Sequence, residues 1–225
     1  AATLAMVMAM AQANVAMPMA SMGLAFLPTL ALSVVGGLLA AAVTYHVFGR
    51  HLDSREGMVD ETLRHPVAET AKGVLDVINR AGAEAFKIAV GAIPMLVLSL
   101  VAVTALRSLG AIDALTHLLA PLLGMLAIDT AYVLPTLTKV LAGGTAMMGV
   151  FDEMLRAGQA SVAMLNHSAG FLLSPLDLPG VAVLISAGPR VAAVWKVAAA
   201  GALVGILLRG VGHVLLVEHL ERGLV

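Results

Sequence analysis

Apolar residues fall along this chain in blocks separated by short polar or helix-breaking stretches. Gly23–Phe48, Phe86–Leu106 and Val191–Leu208 are near-continuous apolar runs, each long enough to cross a hydrocarbon core of roughly 30 Å as a helix. Ala1–Ala20 is Ala/Met-rich and long enough to span, though Gln12, Asn14 and Pro18 weaken it. Beyond Arg107 the pattern breaks up. Asp113–Ile128 is split by Pro121, and Ala131–Phe151 by Pro135 and the Gly143-Gly144 pair. Ala160–Ser174 carries Asn166, His167 and Ser168, and Pro175–Gly180 (PLDLPG) separates it from Val181–Gly188, which is too short to cross. Hydrophobic segments interrupted by Pro and Gly are the mark of discontinuous helices. The prediction is an all-α, polytopic integral membrane bundle with broken or re-entrant helices.

One region differs. Of the 27 charged side chains, 13 lie between Arg50 and Lys87, with both signs mixed. Pro66 suits a first helical turn, and Val67, Ala71, Val74 and Ile78 follow at helical spacing opposite Glu69, Lys72, Asp76 and Arg80. This reads as an amphipathic helix on the membrane surface or a solvated connector on the bundle. The organisation expected is membrane spans over 1–48, a polar connector over 49–84, a transmembrane domain over 85–209 and a tail over 210–225. The basic residues of the connector favour a cytoplasmic position for it. Gly201 and Gly205, four apart in the last span, offer a close helix-packing face.

Composition sharpens the class. Apolar residues make up 60% and charged residues 12%, with a mean hydropathy of +0.98, against about 45–50% and 25% in soluble domains. The net charge of −1 and the lack of a basic patch with interleaved aromatics speak against nucleic acid. There is no cysteine, which removes disulfides, thiolate metal sites and cysteine nucleophiles. Ala1 opens the chain without a basic n-region, so no signal peptide is expected and the start reads as cut. No P-loop, H-E-x-x-H or G-x-S-x-G occurs, the histidines lack ligand spacing, and neither enzyme, metal nor cofactor is expected.

Lys139 is the most informative candidate. It lies inside Ala131–Phe151, and a lysine at the centre of a span costs roughly 2.5–3.5 kcal/mol on insertion scales. Its ammonium is therefore expected to face other helices or a cavity, touching a polar solute with Thr145 while Gly143 and Gly144 expose backbone amides. The alternatives are glycines that only pack, and a lysine that reaches headgroups or pairs with Asp129 or Asp152. Asn166, His167 and Ser168, beside Ser174 and Asp177, form a second polar group, suited to solute contact or to an interhelical hydrogen-bond network. Asp152-Glu153 reads as a span end more than a cation site.

Gly110–Glu153 resembles the nucleoside-recognition, or Gate, domain. Ala120-Pro121-Leu122-Leu123 matches the end of that family's short apolar helix, and Leu134–Met148 its next segment. The flanking Ala85–Leu106 and Ser168–Leu208 also look similar. Gate domains occur in ferrous-iron transporter B, concentrative nucleoside transporters and spore maturation proteins. The resemblance implies a polar site near mid-membrane, formed from Lys139, Gly143, Gly144 and Thr145, and transport of a small polar solute across a bacterial cytoplasmic membrane. It also implies a homo-oligomer or a partner Gate-type subunit, with residues 1–48 as the remainder of a preceding half. A non-transporting membrane assembly role, as in spore maturation proteins, is the other implication.

Overall fold

Two long helices cross at glycines. The structure, a computed structural model, describes residues 1–52, 73–186 and 188–223, and every regular element in them is helical. They are α1 (Ala2–Ala9), α2 (Ala13–Ala20), α3 (Phe26–Val43, extended by a π-helical turn at Thr44–Phe48) and α4 (Val74–Ser108). Then come α5 (Ala111–Met125), a 3₁₀ turn at Thr130–Tyr132, α6 (Val133–Arg156), α7 (Val162–Leu172), α8 (Leu178–Ser186) and α9 (Pro189–Gly223). Four stretches are long and apolar enough to cross a membrane: Ala2–Ala20, Phe26–Phe48, Thr130–Arg156 and Val191–Leu216. Val101–Ser108 with Ala111–Met125, bent by 73°, makes a fifth when taken as one. The chain is a multi-pass, all-α membrane protein, as its apolar blocks predict.

The α3–α9 crossing is built on absent side chains. A Cβ on Gly36 would meet the Gly205 carbonyl oxygen at 2.8 Å, and a Cβ on Gly205 would run into the Gly36 carbonyl. Gly201 lies against Thr44, so the small-residue face expected on α9 is used here. Leu32 packs on Gly212 while Thr44 packs on Gly201, which makes the two helices antiparallel. Each carries a broken helix at its side. The α1–α2 pair breaks at Met10–Gln12 beside α3, where Gly37 meets Met6 and Met10. The α7–α8 pair breaks at Leu173–Asp177 beside α9, where Gly170 meets Arg209 and Gly210. Residues 1–48 and 162–223 thus repeat one arrangement, a broken helix followed by a long one, in inverted sense.

α6 has the length and apolarity of a span and does not cross. At Gly143 the backbone turns to φ 86°, ψ 176°, a conformation in which an L side chain is strained. Its two ends then return to one place. The Tyr132 hydroxyl, just before α6, donates to the Met164 carbonyl at 3.4 Å, and the α6 residues Leu134 and Met154 line one cleft. A straight helix would hold those two roughly 30 Å apart. Asp129 and Tyr132 likewise share a cleft with Gly158 and Gln159. So α6 is a re-entrant hairpin with its tip at Gly143.

Three apolar clusters hold these parts. Val15, Ala16 and Met19 of α2 pack with Met147, Phe151 and Met154 of the hairpin's second arm and Leu165, Ala169 and Leu172 of α7. Small residues, Ala5, Ala9, Ala40, Ala198 and Ala202, bring α1, α3 and α9 close together. Val103, Ile112 and Ala142 join α4 and α5 to the first arm.

Two expected boundaries lie inside helices. The surface helix expected from Pro66 falls in part on residues outside those described. From Val74 the chain is already within α4, one helix through Ser108, so no break separates connector from span at residue 84. α9 runs to Gly223, and the expected tail from residue 210 is part of it, because Val211–Val217 resumes the apolar run.

Candidate functional site

The hairpin tip meets both helix breaks. Gly143 faces the Asp177 carboxylate and Pro179, and Gly144 lies against the Gln12 side chain and Val15. One turn before the tip, Lys139 is 3% exposed, and its ammonium pairs with the Asp177 carboxylate, itself 2% exposed. Asp177 stands immediately before α8, and its other oxygen accepts the Gly180 N–H at 2.6 Å, an N-cap contact. The carboxylate is thus held between an ammonium and the positive end of a half-helix. A buried ion pair is stable only when its leftover polar atoms are also satisfied, and this one meets part of that need through the cap.

The breaks satisfy one another's backbone. At the α1–α2 break, Ala11 N–H donates to Ser33 Oγ at 2.6 Å and Gln12 N–H donates to the Leu173 carbonyl at 2.7 Å. Non-helical backbone survives at membrane depth only when protein or cavity water takes up its amides. Gln12 Oε1, buried against the tip, has no partner among the described residues.

Arg209 was not singled out by sequence reasoning and proves central. It projects from α9, is 1% exposed, and donates through Nε to the Gly170 carbonyl and through Nη1 to the Ala9 carbonyl, both at 2.6 Å. Those carbonyls lie at the C-terminal ends of α7 and α1. Nη2 has no partner. His213, one turn further on, is fully buried. The signal was present: the apolar run continues past Arg209 to Leu216, which puts this cation inside a span instead of at its end.

The expected residues divide. Lys139, Gly143 and Gly144 come together at the tip, and Lys139 takes Asp177 as partner instead of Asp129 or Asp152. Asp129 accepts the Ala131 N–H at 2.8 Å, and Asp152 pairs with Arg156 at 2.9 Å. Thr145, one residue beyond the glycines, is exposed and outside this cluster. Asn166 is a staple: its Oδ1 accepts the Ala25 N–H at 2.7 Å, and its Nδ2 donates to the Gly23 and Val162 carbonyls at 3.0 and 2.9 Å. Ser168 is buried and donates within its own helix to Leu165. His167 is half-buried in a cleft of about 380 Å³ with Asp129, Tyr132, Gln159 and Ser161, and its Nε2 has no partner among the described residues.

A second cleft of about 370 Å³, lined by Arg107, Asp113, Thr116, Thr130 and Gln159, adjoins it. Both open where the hairpin's arms enter. No family model matches this chain, and no curated protein or solved structure matches it either.

Proposed function

We propose that this protein is a membrane permease, or half of one, for a small polar solute such as a nucleoside or an ion, with the Lys139–Asp177 centre as its binding site. The observation that carries this reading is the meeting of a re-entrant hairpin tip with two helix breaks around a buried ion pair. Broken helices at mid-membrane are where secondary transporters bind solute and coupling ion. Intramembrane charge of this kind costs several kcal/mol, and marks solute or ion pathways.

In this mechanism the solute enters through the clefts at the hairpin mouth. It exchanges hydrogen bonds with Lys139, Asp177 and the orphaned Gln12 Oε1, while His167 stands on the approach. Gly143 lets the tip turn, and Gly144 keeps it against the α1–α2 break. The chain belongs, in this reading, to the Gate-type proteins of a bacterial cytoplasmic membrane, with the basic segment Arg50–Lys87 on the cytoplasmic side.

Uptake into proteoliposomes tests it, with radiolabelled uridine as the first probe and other nucleosides and small polar solutes after it. Saturable uptake that falls at least tenfold in Lys139→Met is expected. Uptake equal in variant and parent would remove Lys139 from the site. An obligate hetero-complex that takes up none of the probes would favour the membrane-assembly role instead.

A further inference from the structure

Among the described residues, three fixed charges are buried at the centre: Lys139, Asp177 and Arg209. Lys139 and Asp177 cancel, which leaves the guanidinium. Among the described residues no carboxylate pairs with it. A helix C-terminus carries about −0.5 of an elementary charge, from carbonyls that have no partner within the helix. Arg209 donates to the ends of two such helices, α1 at Ala9 and α7 at Gly170, so their partial charges sum to roughly the one unit it needs. Carbonyls at half-helix C-terminal ends are the groups that hold coupling cations in transporters with broken helices.

We infer that the Arg209 guanidinium occupies the place of a coupling cation. It is a positive charge tethered to α9 and set between the half-helix carbonyls, so that no free sodium or potassium is needed to complete the site. This deepens the permease reading and rests on it for the role of the charge in transport. The cation position itself rests on the contacts alone. A purely structural side chain would be expected to satisfy all its donors, whereas among the described residues Nη2 points at no acceptor and Gln12 Oε1 at no donor. The site therefore keeps unused capacity inside the membrane. A tethered charge also explains why residues 162–223 hold an arginine on the long helix while the inverted unit, residues 1–48, needs none: one cation serves both breaks.

Thermal unfolding of the purified full chain in detergent tests the inference, in choline, sodium and potassium chloride at equal ionic strength. The parent protein is expected to unfold at one midpoint in all three. Arg209→Ala is expected to lose roughly 10 °C and to regain most of it, saturably, in millimolar methylguanidinium but not in choline. Arg209→Lys, which keeps the charge, is expected to fold, to unfold at an intermediate temperature and to ignore added cations. Saturable stabilisation of the parent by sodium or potassium overturns the inference. So does an Arg209→Ala midpoint that is unchanged, or that no cation restores. Where Arg209→Ala does not fold, the lysine variant decides: a lysine variant that fails equally overturns the idea. Rescue by methylguanidinium in a protein that takes up no probe solute would retain the cation position and dismiss the permease.

Discussion

The Gln12 N–H donates to the Leu173 carbonyl at 2.7 Å, so the break in one membrane helix supplies the hydrogen bond missing from the break in another. The two residues are far apart in the chain, and neither has a charged side chain. Their contact joins the α1–α2 break to the α7–α8 break, and the hairpin tip packs against both. Non-helical backbone at membrane depth is costly while its amides are unpaired, and this bond pairs one of them.

The ion pair is predicted to behave as a unit. Lys139→Met leaves the Asp177 carboxylate buried without its ammonium, and should cost about 3–5 kcal/mol of stability. Adding Asp177→Asn removes the orphan charge and keeps an oxygen for the Gly180 N–H. The double variant should therefore be more stable than Lys139→Met alone, as read by thermal unfolding in detergent. A double variant that loses the sum of two independent defects would show that the two groups do not interact.

The two adjacent glycines should fail differently. A Cβ on Gly143 meets only ordinary contacts at 3.7 Å, so Gly143→Ala suffers from its positive φ, at roughly 1–3 kcal/mol, and should slow movement of the tip. A Cβ on Gly144 comes within 2.9 Å of Val15 and closer to Gln12. Gly144→Ala should thus push the tip off the α1–α2 break. Protease or hydrogen-exchange protection of Gln12–Val15 should fall in Gly144→Ala and hold in Gly143→Ala.

Asn166 is predicted to act on folding alone. Its amide ties the Gly23–Ala25 turn to α7 through two hydrogen bonds and makes a third within α7, to Val162. Asn166→Ala should cost about 1–3 kcal/mol by leaving buried backbone groups unpaired. Binding of a probe solute by the folded fraction should keep its Kd. A large rise in Kd with unchanged stability would return Asn166 to the solute site.

The α3–α9 crossing should tolerate no side chain. Gly205→Leu would drive carbon into the Gly36 carbonyl, at the upper end of the roughly 1–3 kcal/mol seen for overpacked cores or beyond it. Gly149→Leu, at a glycine with open space around it, is the matched control and should leave the unfolding midpoint within experimental error.

Much of this architecture is legible in the amino-acid order, and the reasons for the rest are physical. Unbroken apolar runs identify α3 and α9, and the Gly201–Gly205 spacing identifies how α9 packs. Pro and Gly mark the breaks, and Lys139 inside an apolar segment marks a buried centre. Pairing is not legible, because partners are chosen by folding. Asp177 lies in the PLDLPG break 38 positions beyond Lys139, whereas Asp129 and Asp152 look nearer in the chain and are turned to a turn cap and to Arg156. Arg209 passes for a cytoplasmic flank until the apolar residues after it are counted. Asn166 has the same composition of atoms whether it binds solute or staples a turn, and only its three bonds decide. The hairpin is half legible: Gly-Gly signals a break, but whether the chain continues or returns depends on contacts with α2 and α7.

The central claim is that α6 enters the membrane, turns at Gly143 beside Asp177 and leaves on the side it entered. With no native cysteine, single-cysteine variants at Asp129, Gln159 and Gly49 can be labelled with a membrane-impermeant maleimide in sealed, oriented vesicles. Asp129→Cys and Gln159→Cys are predicted to react from one face and Gly49→Cys from the other. Labelling of Asp129→Cys and Gln159→Cys from opposite faces would make α6 a through-span and contradict the account.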